Sequence, residues 1–226
     1  MSHPRLWVVD PSLRYPEDQG VSEVLGDWPG ESRVFRPALS PGDGPTPATG
    51  YATDGVVVMG SRASVHDDDP WLGELTAWLA PIVHGGRPLP LLGICFGHQL
   101  VAAIAGGDVA WIHSDRRKIV GVERSQLDGS RLVVGPRSLR VVVSHREEVK
   151  RVPQGYRIVA RRGVIEVDGM EHAQRPTFSF QFHPEAREAF ARHAGIDPTR
   201  IDAGVRADSQ LLLGAFRRLV LESARR

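Results

Sequence analysis

The sequence predicts an α/β chain in which a mostly parallel sheet is flanked by helices and carries an antiparallel β extension in its second half. Three observations point there. Short apolar runs bounded by turn residues, the pattern of strands buried on both faces, occur at residues 6–9, 56–59 and 89–94. Segments of helical spacing separate or follow them. From residue 118 onward the alternation stops, and strand-like runs follow one another with turn residues between them.

Leu6-Trp7-Val8-Val9 forms the first expected strand. The Pro/Gly-rich stretch 37–50 reads as a long surface loop, and Val56-Val57-Val58-Met59 as the next strand. Asp69-Pro70 is a helix start, with a carboxylate at the N-cap and proline at the first helical position. Trp71, Leu72, Leu75, Trp78 and Leu79 supply that helix with an apolar face. A third strand uses Leu89, Leu91, Leu92 and Ile94; a helix runs from Phe96 to about Ala105 and stops at Gly106-Gly107. Strands are then expected at 118–123, 131–134, 139–143, 156–160, 164–167 and 178–182, with turns at Asp128-Gly129, Gly135-Pro136 and Asp168-Gly169. A last helix, about 209–223, places Leu211, Leu212, Phe216, Leu219 and Val220 on one side.

Composition narrows the class. A chain of 226 residues fits one domain, 1–226, and no Gly/Ser linker or low-complexity block divides it. With 28 basic and 27 acidic residues there is no strong field for nucleic acid. The basic C-terminus (Arg217, Arg218, Arg225, Arg226) favours a helix end rather than a partner. One cysteine excludes an intramolecular disulfide, and without CxxC or HExxH no metal site is expected. His66-Asp67-Asp68-Asp69 reads as a solvated, helix-capping turn. The N-terminus enters a strand without a charged or long apolar leader, and no run approaches the roughly twenty apolar residues of a membrane span. These features predict a soluble, cytoplasmic chain with no membrane partner.

The single cysteine is the most informative residue. Gly93-Ile94-Cys95-Phe96-Gly97-His98-Gln99 joins an apolar run to a helical one. Strand, sharp turn and helix make a nucleophile elbow, which lifts a side chain from the carboxyl edge of a sheet. Glycines near the nucleophile are expected to relieve the strained backbone. A thiol held there sits at a helix N-terminus, whose dipole favours the reactive thiolate. Phe180-Gln181-Phe182-His183-Pro184-Glu185 offers the distant histidine such a cysteine needs, with a carboxylate two residues on.

GICFGHQ followed by FQFHPE resembles the class I (triad-type) glutamine amidotransferases, over roughly residues 56–185, and within them the free-standing GMP-synthase-like glutaminase domains. The resemblance implies a flavodoxin-like fold and a Cys95, His183, Glu185 triad acting on L-glutamine, with no cofactor. Cys95 would attack the side-chain amide to give a γ-glutamyl thioester, His183 would move the proton, and Glu185 would orient the imidazole. The oxyanion would be held by backbone N–H groups of Phe96 and Ser61, with Gly60 giving the loop its freedom. The family usually has a Gly-Gly-Pro type sequence there, so Ser61 and Arg62 are departures, and the resemblance does not imply a preformed hole. Gln99, one turn past Cys95, matches a residue touching the substrate's α-amino acid end. Ser144-His145-Arg146 lies in a segment similar to the family's S-H-x-x-x-V, which lines the glutamine pocket largely through backbone groups, with His145 positional rather than catalytic. His98 belongs to the motif without assigned chemistry.

No GxxxxGK[ST] loop is present, so ammonia would pass to a separate synthetase or other acceptor enzyme. Two other readings stay open. One is a γ-glutamyl hydrolase acting on γ-glutamyl amines or peptides, which an open cleft would favour over a pocket closed around free glutamine. The other is a non-catalytic regulatory protein on the same fold.

Overall fold

The computed structural model describes residues 3–225. Its elements in chain order are β1 (Arg5–Val9), α1 (Asp18–Leu25), β2 (Glu31–Phe35), β3 (Gly55–Val58), α2 (Pro70–Val83), β4 (Leu91–Ile94) and α3 (Phe96–Ile104). They continue with β5 (Asp108–Trp111), β6 (Ile119–Leu127), β7 (Arg137–His145), β8 (Glu147–Arg151), β9 (Tyr156–Arg162), β10 (Ile165–His172), β11 (Thr177–Phe180), α4 (Glu188–Ala194) and α5 (Ala203–Ala224). One nine-stranded sheet has the order β2-β1-β3-β4-β11-β10-β9-β6-β7, and β5 pairs with β8 in a small second sheet. The pairs from β2 through β11 are parallel, whereas those from β11 through β7 are antiparallel. The fold is therefore the mixed α/β architecture that the sequence predicts.

The continuous apolar runs are explained by burial on both faces. Leu6, Val8, Val57, Leu92 and Ile94 share a core with Val21 and Val24 of α1 and Leu212, Phe216 and Val220 of α5. Trp7, Val9, Val56, Val58 and Leu91 alternate with them and meet Leu72, Leu75, Trp78 and Leu79 of α2 and Leu100 and Val101 of α3. Trp7 stacks on Trp78 with ring centroids 5.9 Å apart.

Five local expectations are corrected. Asp168-Gly169, expected as a turn, lies inside β10, where Gly169 pairs with Phe180 on one side and Ala160 on the other. Residues 131–134 form bends rather than a strand, because Arg131 is drawn across to Glu171: its Nε donates to Oε1 at 3.1 Å and its backbone N–H to Oε2 at 3.0 Å. The third strand starts at Leu91 rather than at residue 89, after Pro90, which has no N–H for the ladder. Asp69 stands at the N-cap of α2, yet its side chain makes no capping bond. The last helix begins six residues earlier than expected, at Ala203, where the Asp202 carboxylate accepts from the N–H groups of Gly204 and Val205.

Candidate active site

The carboxyl ends of β4 and β11 set the site. Cys95 follows β4 directly, with φ 50° and ψ −99°, and caps α3. A left-handed φ costs a non-glycine residue on the order of 1–3 kcal/mol, so the surroundings must hold it. They do: Cys95 N–H donates to Phe180 O at 2.8 Å, and Gln99 N–H donates to Cys95 O at 3.0 Å. The flanking glycines serve a different need from the one expected. Neither has positive φ. A Cβ on Gly93 would lie 2.5 Å from Gly97 O, and one on Gly97 would lie 2.2 Å from Val58 O. They let the turn pack against the sheet, while the strained dihedral falls on Cys95 itself.

Parallel pairing of β11 with β4, Phe180 opposite Ile94, delivers the distant motif beside Cys95. The next residue, Gln181, is buried, and its Nε2 approaches Cys95 Sγ at 3.6 Å. His183 N–H donates to Val142 O at 2.8 Å, which ties this crossing to β7. His183 Nδ1 lies 2.9 Å from Glu185 Oε1, both side chains being buried. Nδ1 therefore carries a proton, which it donates to the carboxylate. The ring also packs on Phe190 with centroids 4.4 Å apart. Its other nitrogen, Nε2, is buried without a hydrogen-bond partner, as is Glu185 Oε2. Burial alone would push this imidazole down, but the neighbouring Cys95 and Glu185 outweigh it and raise the pKa from 6.5 to about 10. A charged imidazole is thus favoured between a sulfur and a carboxylate.

Gly60 closes the other side. A Cβ there would stand 2.6 Å from His183 Cε1 and 3.6 Å from Cys95 Cβ, so this glycine lets the loop touch both groups. Ser61 Oγ donates to Pro11 O at 2.6 Å and accepts from Ala63 N–H at 3.1 Å, which pins the loop. Among the described residues the backbone N–H groups of Ser61 and Phe96 have no acceptor.

Gln99 is buried on α3; its Nε2 donates to Glu147 O at 2.8 Å and to Gln181 Oε1 at 3.1 Å. Ser144 lines the cavity described below, and Arg146 is exposed. His145 has both ring nitrogens occupied within the fold. Nδ1 donates to Glu147 O at 2.9 Å, and Nε2 accepts from Arg162 Nη2 at 2.8 Å. Burial is the main cause that keeps it neutral, with a pKa down to about 3. Arg162 in turn donates to the buried Asp168 at 3.0 Å and to Glu123 at 2.5 Å. His98 sits in the core between Ser179 Oγ, 2.8 Å away, and Val167 O, 3.2 Å away; burial lowers its pKa to about 4. His66 Nε2 bonds to Val109 O at 2.9 Å, and among the described residues no cluster of His, Cys, Asp and Glu suits a metal ion. Among the same residues no helix is long and apolar enough to cross a membrane.

A cavity of about 300 Å³ opens over His183, Glu185, Gly60 and Ser61. Its far wall is the β1–α1 loop, with Tyr15 and Glu17, facing Phe190 and His193 of α4. Sequence reasoning missed this wall. It also missed Gln181, Glu17 and Lys118, the last at the cavity's rim. Only Gln181 had a signal available, its place inside the FQFHPE motif. Glu17 is pushed up from 4.5 to about 7 by burial and then by Glu185 and Asp10 beside it.

The fold and site define a class: an α/β protein with a strained, buried cysteine beside a histidine–carboxylate pair, an arrangement chemically able to perform acyl transfer from an amide. Comparison with known proteins agrees. The sequence model of the family "Glutamine amidotransferase class-I" matches residues 46–197, and the chain belongs to that family. A glutamine-hydrolysing GMP synthase subunit of Methanothermobacter thermautotrophicus is 36% identical over 105 residues, 46% of this chain and 56% of that protein. The protein of the same name from Methanopyrus kandleri is 36% identical over 136 residues, 59% of this chain and 67% of that one. The chain thus spans about half to two thirds of the length of these curated relatives. A glutamine amidotransferase structure from Thermotoga maritima superposes over 100% of both chains with a TM-score of 0.74 at 18% identity, which shows the shared fold.

Proposed function

We propose that this protein hydrolyses L-glutamine to glutamate and ammonia, as the glutaminase half of an amidotransferase whose synthetase is a separate chain. The observation that carries the reading is the placement of Cys95, strained at the head of α3, beside a His183 imidazole whose Nδ1 is 2.9 Å from Glu185. Cys95 Sγ attacks the glutamine Cδ, and the amide oxygen becomes an oxyanion held by the free N–H groups of Ser61 and Phe96. The tetrahedral adduct collapses to a γ-glutamyl thioester as the His183 imidazolium gives its Nε2 proton to the leaving nitrogen, releasing ammonia. Nε2 then takes a proton from water, hydroxide adds to the thioester carbon, and glutamate leaves with the thiolate restored. Glu185 keeps Nδ1 protonated and stabilises the cation throughout.

The relatives named as glutamine-hydrolysing GMP synthase subunits support an acceptor of the same kind, a synthetase that consumes ammonia. A reactive thiolate suits the reducing cytoplasm. One observation favours a second reading, a γ-glutamyl hydrolase. The cavity, of about 300 Å³, reaches past His183 to Tyr15 on the β1–α1 loop and His193 on α4. The test is mass spectrometry of the chain after exposure to 6-diazo-5-oxo-L-norleucine, a glutamine-mimicking electrophile. A single adduct on Cys95, absent from Cys95→Ala, is expected. No adduct on a folded protein with an accessible thiol would refute the reading.

A further inference from the structure

The β6–β7 hairpin brings an unpaired lysine to the mouth of the site. Lys118 immediately precedes β6, and the register pairs Ile119 with His145 and Val120 with Ser144, so Lys118 comes level with Arg146. Its side chain borders the cavity together with Gly60, Arg62, Ser144 and His183. Among the described residues neither a carboxylate nor a hydrogen-bond partner acts on its ammonium. Cys95, Arg62 and Arg146 are the ionisable groups close enough to act on it. Of the two guanidiniums, Arg62 is committed to His193 O at 3.2 Å. Burial and the two guanidiniums press the lysine toward its neutral form, so gathering these cations costs free energy that an arriving anion would recover.

The nucleophile has a second flank of opposite character. Gln99 Nε2 is spent on Glu147 O and Gln181 Oε1, which leaves the amide oxygen without a donor among the described residues. An anion-seeking group and a cation-seeking group therefore stand near one thiol. A γ-glutamyl substrate carries the matching pair, an α-carboxylate and an α-ammonium on one carbon, three carbons from the amide that reacts.

We propose that Lys118 receives the α-carboxylate of the γ-glutamyl substrate, opposite Gln99 Oε1 at the α-ammonium, and so selects α-amino acid amides over simple amides. This rests on the γ-glutamyl reading of Cys95 given above. It holds whether the leaving group is ammonia or a larger amine, because the α-carbon end is common to both.

The test compares two alkylations of Cys95. 6-Diazo-5-oxo-L-norleucine carries the α-carboxylate and α-ammonium, whereas iodoacetamide carries neither. The ratio of their second-order rate constants cancels any change in the thiol itself. Losing one charge-assisted contact should lower this ratio roughly 10- to 100-fold in Lys118→Met, and Lys118→Arg should restore most of it. Hydrolysis should agree: the preference for glutamine over 4-aminobutanamide, which has hydrogen in place of the carboxylate, should shrink through KM. An unchanged ratio in Lys118→Met would overturn the assignment while leaving the glutaminase reading intact. A wild-type protein that iodoacetamide labels and the diazo compound does not would overturn both.

Discussion

Gly60→Ala places one methyl group in the narrowest part of the site. The added Cβ would stand 2.6 Å from His183 Cε1 and 3.2 Å from Nδ1, where carbon contacts settle at about 3.5–4.0 Å. About 1 Å must be found, and the imidazole has little freedom to supply it. Glu185 holds Nδ1 at 2.9 Å and Phe190 covers the ring. A displacement of about 1 Å between reacting groups costs about 100-fold in rate, or ~2.7 kcal/mol of barrier. Overpacking of this kind destabilises a fold by about 1–3 kcal/mol, so the variant should remain folded. Glutaminase kcat/KM, thermal unfolding and the rate of Cys95 alkylation by iodoacetamide would be measured side by side. The expected result is a fall of about 100-fold in kcat/KM with a cooperative melt retained. Activity within about threefold of wild type would show that His183 and Cys95 do not need this contact, and the reasoning would fail.

Three further outcomes are expected. Glu185→Gln keeps the shape at Nδ1 but removes the charge that stabilises the imidazolium, so kcat should drop by on the order of 100-fold or more with little change in KM; an undiminished kcat would contradict the dyad. Arg162→Met leaves the buried Asp168 without its guanidinium and His145 Nε2 without its donor, and urea unfolding should show a loss of about 3–5 kcal/mol, partly recovered in Arg162→Met/Asp168→Leu. Glu17 has a folded pKa of about 7 against an ordinary 4.5, so the folded state binds more protons between those values and stability falls as pH rises through that window. The full shift corresponds to about 3 kcal/mol, which partial exposure reduces to about 1 kcal/mol; Glu17→Gln should gain that much at pH 8 and little at pH 4, and equal stabilities of variant and wild type at pH 8 would refute it.

Much of the candidate site is legible because Cys95, His183 and Glu185, which the fold brings together, sit in two short segments whose spacing encodes strand, turn and helix. GICFGHQ announces an elbow, and the apolar runs around residues 6, 56 and 91 announce a buried sheet. What escaped depends on contacts distant in sequence. Strand β2 escaped because its residues Glu31, Ser32 and Arg33 are exposed at the sheet edge and show no apolar run. Strand β8, Glu147–Arg151, escaped because it carries four charged residues of five and shows no apolar run. The run 131–134 has strand-like composition, but the Arg131–Glu171 pairing decides its shape, and no local pattern reports a partner 40 residues away. Gly93 and Gly97 read as sources of backbone freedom because a sequence shows a missing Cβ without showing what the Cβ would meet. Lys118 and Glu17 look like ordinary surface charges until the fold sets them around Cys95 and Glu185.

Glutamate release from L-glutamine by the purified chain, measured beside Cys95→Ala, tests the central claim most directly. Turnover that disappears with the thiol is expected, and it would direct attention to the chain that accepts the ammonia. Release that persists in Cys95→Ala would contradict the thioester mechanism. Absence of release from a wild-type protein that also fails to take the glutamine-mimicking electrophile on Cys95 would contradict the glutaminase reading itself.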